Sequence, residues 1–147
     1  MKAKISTFIE TDENKMWKEL QKVSSLMHVA SPILKFKPKN GQVLPEKWTK
    51  GEELRLKLLL FGFIPLGDHV IKLVEINKNE NLIISNERGR LTEVWNHTIK
   101  FESINNHKIK YTDEIEIEAG ILTWAIWLFA QVFYRHRQNK WKELMGS

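Results

Sequence analysis

The sequence predicts an α+β fold of the helix-grip type, in which a curved antiparallel sheet of six to seven strands wraps around one long C-terminal helix. Apolar and polar residues alternate through several successive segments, and short turns separate these segments. The last segment, Ile121 to Met145, contains no glycine or proline and predicts one helix. The length of 147 residues and the apolar content of 42% are typical of a single domain spanning residues 1–147.

The N-terminal part predicts a strand followed by one or two short helices. Lys2 to Glu10 alternates between apolar and polar residues, which indicates a half-buried strand. Thr11 or Asp12 can cap a helix that runs to about Ser24. Ser25 to Ala30 extends it by a second helical turn, which a Ser-Pro pair ends.

The middle of the chain predicts a meander of antiparallel strands joined by turns. Its strands are Ile33–Lys37, Glu52–Phe61, Asp68–Asn77, Leu82–Glu87, Thr92–Ser103 and Lys108–Glu118. The glycine-bracketed segment Gly62–Gly67 is interpreted in two ways, as the lip of a portal or as a plain hairpin turn.

The first half of the C-terminal helix is apolar on nearly every side. A helix of this kind is expected to be surrounded by protein. The apolar run from Ile121 to Tyr134 is shorter than the roughly twenty residues that a spanning helix needs, and basic residues follow it. We therefore expect no stable membrane insertion.

Three stretches carry a resemblance to a known superfamily: LPEKWTKGEELRLKLLLFGFIPLG, the pair VWNHTIKF and YTDEIEIEAGILT, and FYRHRQNKW. Together with the element order, they resemble a bacterial branch of the START/Bet v 1-like superfamily, also called SRPBCC or the polyketide-cyclase-like group. The resemblance implies a cavity between sheet and long helix that accepts lipids, polyketides or other apolar molecules. Some members of the superfamily are enzymes, and many are carriers or sensors.

Two polar residues fall on strand faces that are otherwise apolar. His97 shares a face with Trp95 and Ile99, and Asp113 shares one with Tyr111. The inward faces of the two strands match only if the loop between them has an odd number of residues or a bulge intervenes. Pairing Ser103 with His107 would then place His97 directly opposite Asp113, and an alternative register would place the two residues diagonally. Because a lone buried carboxylate is costly, we predict a buried His97–Asp113 pair.

Three roles stay open for this pair: fixing the register, contacting a ligand, or acid–base catalysis. Trp95 and Tyr111 are either core residues or part of a ligand platform. Helical spacing from Trp124 and Leu128 predicts that Arg135 faces the sheet, where it could pair with Asp113 or with a ligand carboxylate. The candidate ligand-binding residues are therefore Trp95, His97, Tyr111, Asp113, Trp124, Leu128 and Arg135.

Several other classes of site lack their signatures. There are no cysteines, which removes disulfides and thiolate sites and suits a reducing cytoplasm. The histidines have no metal-ligand spacing, and neither a phosphate-binding loop nor a nucleophile elbow is present, so we expect no metal and no cofactor. The net charge of +5 comes from scattered lysines without a basic run, which favours a solvated surface over nucleic-acid binding.

These observations leave three functions, in order of preference. The first is binding of a small apolar or amphipathic molecule, lipid-like or polyketide-like, by a cytoplasmic monomer or weak homodimer. The second is a cyclase, dehydratase or isomerase that uses His97 and Asp113. The third is an interaction protein whose core is filled by its own side chains, among them six tryptophans. Contact with an anionic membrane through the lysine-rich face is a possible addition to the first.

Overall fold

A computed structural model describes residues 1–146 and shows one seven-stranded antiparallel sheet that curves around a long helix. The strands are β1 (Lys2–Ile9), β2 (Leu34–Pro38), β3 (Glu53–Leu60), β4 (Ile64–Asn77), β5 (Leu82–Gly89), β6 (Val94–Asn105) and β7 (Lys108–Glu118). The helices are α1 (Glu13–Leu20), α2 (Val23–Ala30) and α3 (Thr123–Leu144). This is the helix-grip architecture that the sequence predicts.

The order of strands across the sheet is β1-β7-β6-β5-β4-β3-β2. Strands β2 to β7 therefore pair with their neighbours in sequence, and β1 joins the far side by pairing with β7. The N-terminal ammonium also donates a hydrogen bond to the carbonyl oxygen of Ile117, at 2.8 Å.

Asp12 caps α1, as one of the two predicted capping residues. Its Oδ1 accepts a hydrogen bond from the backbone N–H of Lys15, at 2.9 Å. The helical segment is divided earlier than predicted, because Gln21 and Lys22 leave the helix and α2 begins at Val23.

The pairing of β6 with β7 follows the alternative register. His97 lies opposite Ile115, and Ile99 lies opposite Asp113, so His97 and Asp113 are diagonal neighbours, as in the second of the two registers that the sequence allows. A bulge after Ser103 restores the match between the inward faces.

A second irregularity lies between β3 and β4. Leu58 pairs with Gly67 and Leu59 with Pro65, so Leu66 bulges from the ladder. Gly67 has a φ of +94°, and a Cβ there would lie 2.8 Å from Cδ of Arg90, so this position requires glycine. The predicted turn over Gly62–Gly67 is correspondingly shorter, since β4 already begins at Ile64.

Only one face of α3 is buried. The buried residues follow the helical repeat: Ala130, Phe133, Tyr134, Arg137, Gln138 and Trp141. In the first half of α3 the opposite face is apolar and exposed, with Trp124 at 62%, Leu128 at 48% and Val132 at 66% of full exposure. The prediction that protein surrounds the first half of the helix is therefore wrong. Among the described residues, no helix is long and apolar enough to cross a membrane.

The core between sheet and helix has two apolar parts. Ile109 and Tyr111 of β7 belong to the part beneath α1 and α2, and Ile115 and Ile117 belong to the part beneath the middle of α3. Asp113 lies between these pairs on the same strand and is fully buried. The polar residues of the interior therefore occupy the boundary between the two parts of the core.

Candidate functional site

The main cavity of the protein lies between β2–β6 and α3 and has a volume of about 220 Å³. Its wall is predominantly leucine and aromatic: Leu34, Phe36, Leu58, Leu60, Leu66, Leu91, Trp95, Ile126, Phe129, Phe133 and Tyr134. Asp68 and Arg90 are exposed and also line it, so the cavity reaches the surface between the β5–β6 loop and β4. A pocket of this composition suits an apolar molecule.

A second cavity of about 50 Å³ adjoins the first, deeper under α2. Phe36, Glu87 and Arg137 line both cavities and form the boundary between them. His97 and Ser85 line the smaller cavity. Polar side chains are therefore concentrated where the two cavities meet.

The predicted His97–Asp113 pair is present. Nε2 of His97 donates to Oδ1 of Asp113 at 2.7 Å, with the carboxylate fully buried and His97 nearly so. The hydroxyl of Tyr111 donates to the same oxygen at 3.2 Å, and Nε2 of Gln138 donates to Oδ2 at 3.0 Å. Gln138 also donates to the carbonyl oxygen of Ile5 at 2.7 Å, so this network connects β1, β6 and β7 to α3.

A second histidine–carboxylate pair lies beside the main cavity. Nε2 of His69 donates to Oε1 of Glu87 at 2.9 Å, and the hydroxyl of Ser85 donates to Oε2 at 2.9 Å. Burial by itself raises the pKa of the Glu87 carboxyl, but the hydrogen bond from His69 and the charge of this histidine bring the pKa below its usual value. Glu87 is therefore held as a carboxylate at neutral pH.

Arg137 lies at the junction of the cavities and is 7% exposed. Its Cζ lies 5.3 Å from the ring centroid of Tyr134 and 5.8 Å from that of Phe133. Its Nε and Nη2 are buried and have no hydrogen-bond partner. Burial disfavours the charge of Arg137, but the hydroxyls of Tyr111 and Tyr134, followed by the carboxylates of Asp113 and Glu87, outweigh burial and raise its pKa, so the guanidinium stays protonated.

Tyr134 joins β6 to α3 at the cavity wall. Its hydroxyl accepts a hydrogen bond from Nε1 of Trp95 at 2.8 Å, and its ring lies 4.8 Å from that of His97. Burial raises the pKa of the Tyr134 hydroxyl, so this group is neutral over the physiological range.

The seven residues predicted for the site occupy four different places. Trp95 lines the main cavity, and His97 lines the smaller one. Tyr111 and Asp113 are fully buried and line neither of the two. The rest of the set, Trp124, Leu128 and Arg135, lies on the exposed face of α3.

The prediction that Arg135 faces the sheet is wrong. Its Nη1 donates to the carbonyl oxygen and to Oε1 of Gln131, one turn earlier on the same exposed face, at 2.9 Å each. Arg137 occupies the inward position instead. The error arose because the first half of α3 is apolar all round, so the spacing from Trp124 and Leu128 does not determine which face is buried.

Sequence reasoning missed His69, Glu87 and Arg137 as site residues. Strand alternation contains the signal for the first two, because His69 shares a face with Ile71 and Leu73, and Glu87 is two residues from Ser85. For Arg137, the signal is the spacing of four residues from Phe133 and from Trp141, which indicates the same helix face.

The described residues contain no group of three or more histidine, cysteine, aspartate or glutamate side chains that could hold a metal ion. The arrangement that they do provide is an apolar cavity with one cationic group at its inner end. It can hold an apolar body and orient a polar end.

Comparison with known proteins gives a family without an assigned role. The model of a family described as a domain of unknown function, DUF8410, matches residues 7–144, so the chain belongs to that family. None of the curated proteins matches the chain.

Solved structures with the same fold share little sequence with the chain. Protein CV1439 from Chromobacterium violaceum has a TM-score of 0.76 at 11% identity, covering 100% of this chain and 99% of that one. A START superfamily protein from Mycobacterium smegmatis has a TM-score of 0.70 at 9% identity, covering 99% and 97%. The di-domain aromatase/cyclase BexL of the BE-7585A biosynthetic pathway has a TM-score of 0.69 at 12% identity, covering 97% of this chain and 45% of BexL. These similarities confirm the START-like fold.

Proposed function

We propose that this member of the DUF8410 family binds one small apolar or amphipathic molecule in the main cavity between the sheet and α3. The observation that carries this proposal is the cavity of about 220 Å³, whose wall is built mainly from leucine and aromatic side chains. A fully packed interior leaves few voids larger than a water molecule, so a cavity of this size favours ligand binding over a core filled by its own side chains.

The size of the cavity limits the ligand. At roughly 15 Å³ for each water-sized unit, about 220 Å³ accommodates on the order of fifteen non-hydrogen atoms. That range includes medium-chain acids and alcohols and compounds with one or two rings. It is smaller than a phospholipid with two acyl chains.

The cyclase, dehydratase or isomerase alternative rests on the His97–Asp113 pair, and BexL gives it a precedent within the fold. His97, however, lines the cavity of about 50 Å³ and not the larger one. Its Nε2 is bonded to Asp113, whose oxygens also accept hydrogen bonds from Tyr111 and Gln138. This network supports a role in fixing α3 on the sheet better than a role in proton transfer to a substrate.

The experiment that tests binding combines mass spectrometry of an organic extract with titration of a neutral fluorescent probe, N-phenyl-1-naphthylamine. Leu66→Trp adds volume to the cavity wall, and Val74→Trp adds the same side chain at an exposed position of the same strand. We expect wild type and Val74→Trp to bind the probe alike, and Leu66→Trp to bind it at least tenfold more weakly or to lose it.

A folded wild-type protein that yields no small molecule and takes up no probe would contradict the proposal. Equal probe binding by all three proteins would place the probe outside the main cavity and would contradict the assigned site. A cytoplasmic location and a monomeric or weakly dimeric state belong to the same proposal, and cell fractionation and sedimentation velocity test them.

A further inference from the structure

The inner end of the main cavity contains a buried cation, two of whose donor atoms have no hydrogen-bond partner. Arg137 is 7% exposed and lines both cavities, and its Nε and Nη2 have no hydrogen-bond partner. Buried polar atoms are nearly always paired, so two unpaired donors on one guanidinium require an explanation.

The nearby carboxylates already have other partners. Asp113 accepts hydrogen bonds from His97, Tyr111 and Gln138. Glu87 accepts hydrogen bonds from His69 and Ser85. The acidic groups around the junction are therefore satisfied without the Nε and Nη2 donors of Arg137.

The two unpaired atoms lie on one edge of the guanidinium. The N–H bonds of Nε and Nη2 point in the same direction and form a fork, which matches the two oxygens of a carboxylate. The aromatic rings of Phe133 and Tyr134 lie within 5.8 Å of Cζ, so the cation is held beside the apolar wall.

We propose that the main cavity selects molecules with an apolar body and one carboxylate, and that the Nε/Nη2 edge of Arg137 binds this carboxylate. This inference rests on the proposed function, because it names the chemical class of the ligand for the same cavity. The apolar body lies against the leucine and aromatic wall, between Arg137 and the opening near Arg90 and Leu91. Medium-chain fatty acids and small aryl-alkyl acids fit this description.

The test compares octanoate with 1-octanol, which have the same apolar chain and differ in the carboxylate. Isothermal titration calorimetry of the wild-type protein is expected to show octanoate binding at least tenfold more tightly than 1-octanol. Arg137→Gln is expected to weaken octanoate at least tenfold and to change the affinity for 1-octanol by less than threefold. Arg135→Gln removes an exposed arginine from the same helix and is expected to leave both affinities unchanged.

A second measurement needs only the wild-type protein, in case Arg137→Gln fails to fold. In a pH titration, the ¹³C carboxyl resonance of bound octanoate should report a pKa lower than that of free octanoic acid, because the guanidinium stabilises the anion. Arg137→Lys keeps the charge but loses the fork, and we expect it to recover part of the octanoate affinity.

Four outcomes separate this inference from the proposed function. Equal binding of octanoate and 1-octanol by the wild type, or a raised carboxyl pKa in the complex, overturns the role of Arg137 and leaves the apolar cavity standing. Equal losses of both ligands in Arg137→Gln overturn it as well. Binding of neither ligand by the folded wild type, together with no uptake of the neutral probe, overturns both proposals.

Discussion

Replacing Asp113 by asparagine tests whether the buried network at the centre of the fold depends on a charged carboxylate. Asp113 is 0% exposed and accepts three side-chain hydrogen bonds, at 2.7, 3.0 and 3.2 Å. In Asp113→Asn, the amide oxygen can keep the bond from His97, but the amide nitrogen then faces Nε2 of Gln138. One hydrogen bond to a charged group is replaced by two donors that face each other.

The expected loss can be estimated from these contacts. A hydrogen bond to a charged group contributes about 1.5–3 kcal/mol, and a buried donor left unpaired costs about 1–3 kcal/mol. Since Gln138 keeps its bond to Ile5, we take the lower half of the combined range and expect the free energy of unfolding to fall by about 3 kcal/mol. For a chain of this length, that corresponds to a decrease in Tm of roughly 10 °C.

Urea denaturation at neutral pH, followed by tryptophan fluorescence, measures this loss. Glu114→Gln is the matched control, because Glu114 is the next residue on β7 and forms only exposed ion pairs with Lys4 and Lys100. We expect the control to change the free energy of unfolding by less than about 1 kcal/mol. If Asp113→Asn unfolds within about 0.5 kcal/mol of the wild type, the carboxylate is not the charged centre of the network and the reasoning fails.

Three further perturbations test other parts of the structure. Glu87 has a lowered pKa in the folded state, so it stabilises the fold above its unfolded pKa of about 4.3. The wild type should lose this stability as the pH falls below that value, and the urea midpoint of Glu87→Gln should vary less with pH in this acidic range. Tyr134 has a raised pKa in the folded state, so its contribution to the free energy of unfolding is complete below its unfolded pKa of about 10 and falls as the pH rises above that value. In thermal melts, the Tm of Tyr134→Phe should therefore fall less than that of the wild type as the pH rises above about 10. On α3, Phe133→Ala should lower the free energy of unfolding by about 3–5 kcal/mol, and Leu128→Gln should lower it by less than about 0.5 kcal/mol. Similar losses in the two variants would show that a different face of the helix is buried.

Much of the fold could be predicted because the strands alternate clearly. The period of two places Ile109, Tyr111, Asp113 and Ile115 on one face whatever the register of the sheet, and all four are buried. The buried His97–Asp113 pair followed from the same alternation, since either a bulge or a loop with an odd number of residues brings the two inward faces together.

The register itself and the rotation of α3 could not be predicted from the sequence. A bulge at any of several positions near Asn105 satisfies the alternation, so direct and diagonal pairing of His97 with Asp113 were equally consistent with it. For α3, every face of the first half is apolar, and only the tertiary contacts of Phe133, Gln138 and Trp141 show which one is buried. Arg137 was missed because its spacing of four residues from Phe133 and Trp141 indicates burial only once the buried face of α3 is known.

The pairing of β1 with β7 determines when the protein can finish folding. During synthesis β1 emerges first, but Ile117, to which Met1 is hydrogen bonded, follows 116 residues later. All other strand pairs join neighbours in sequence and can form as they are made. Loop closure over such a distance is slow. Until β1 pairs with β7, other chains can associate with the open edge of β7 and with the apolar face of β1. Completion of the sheet therefore waits until β7, which ends at Glu118, has been translated.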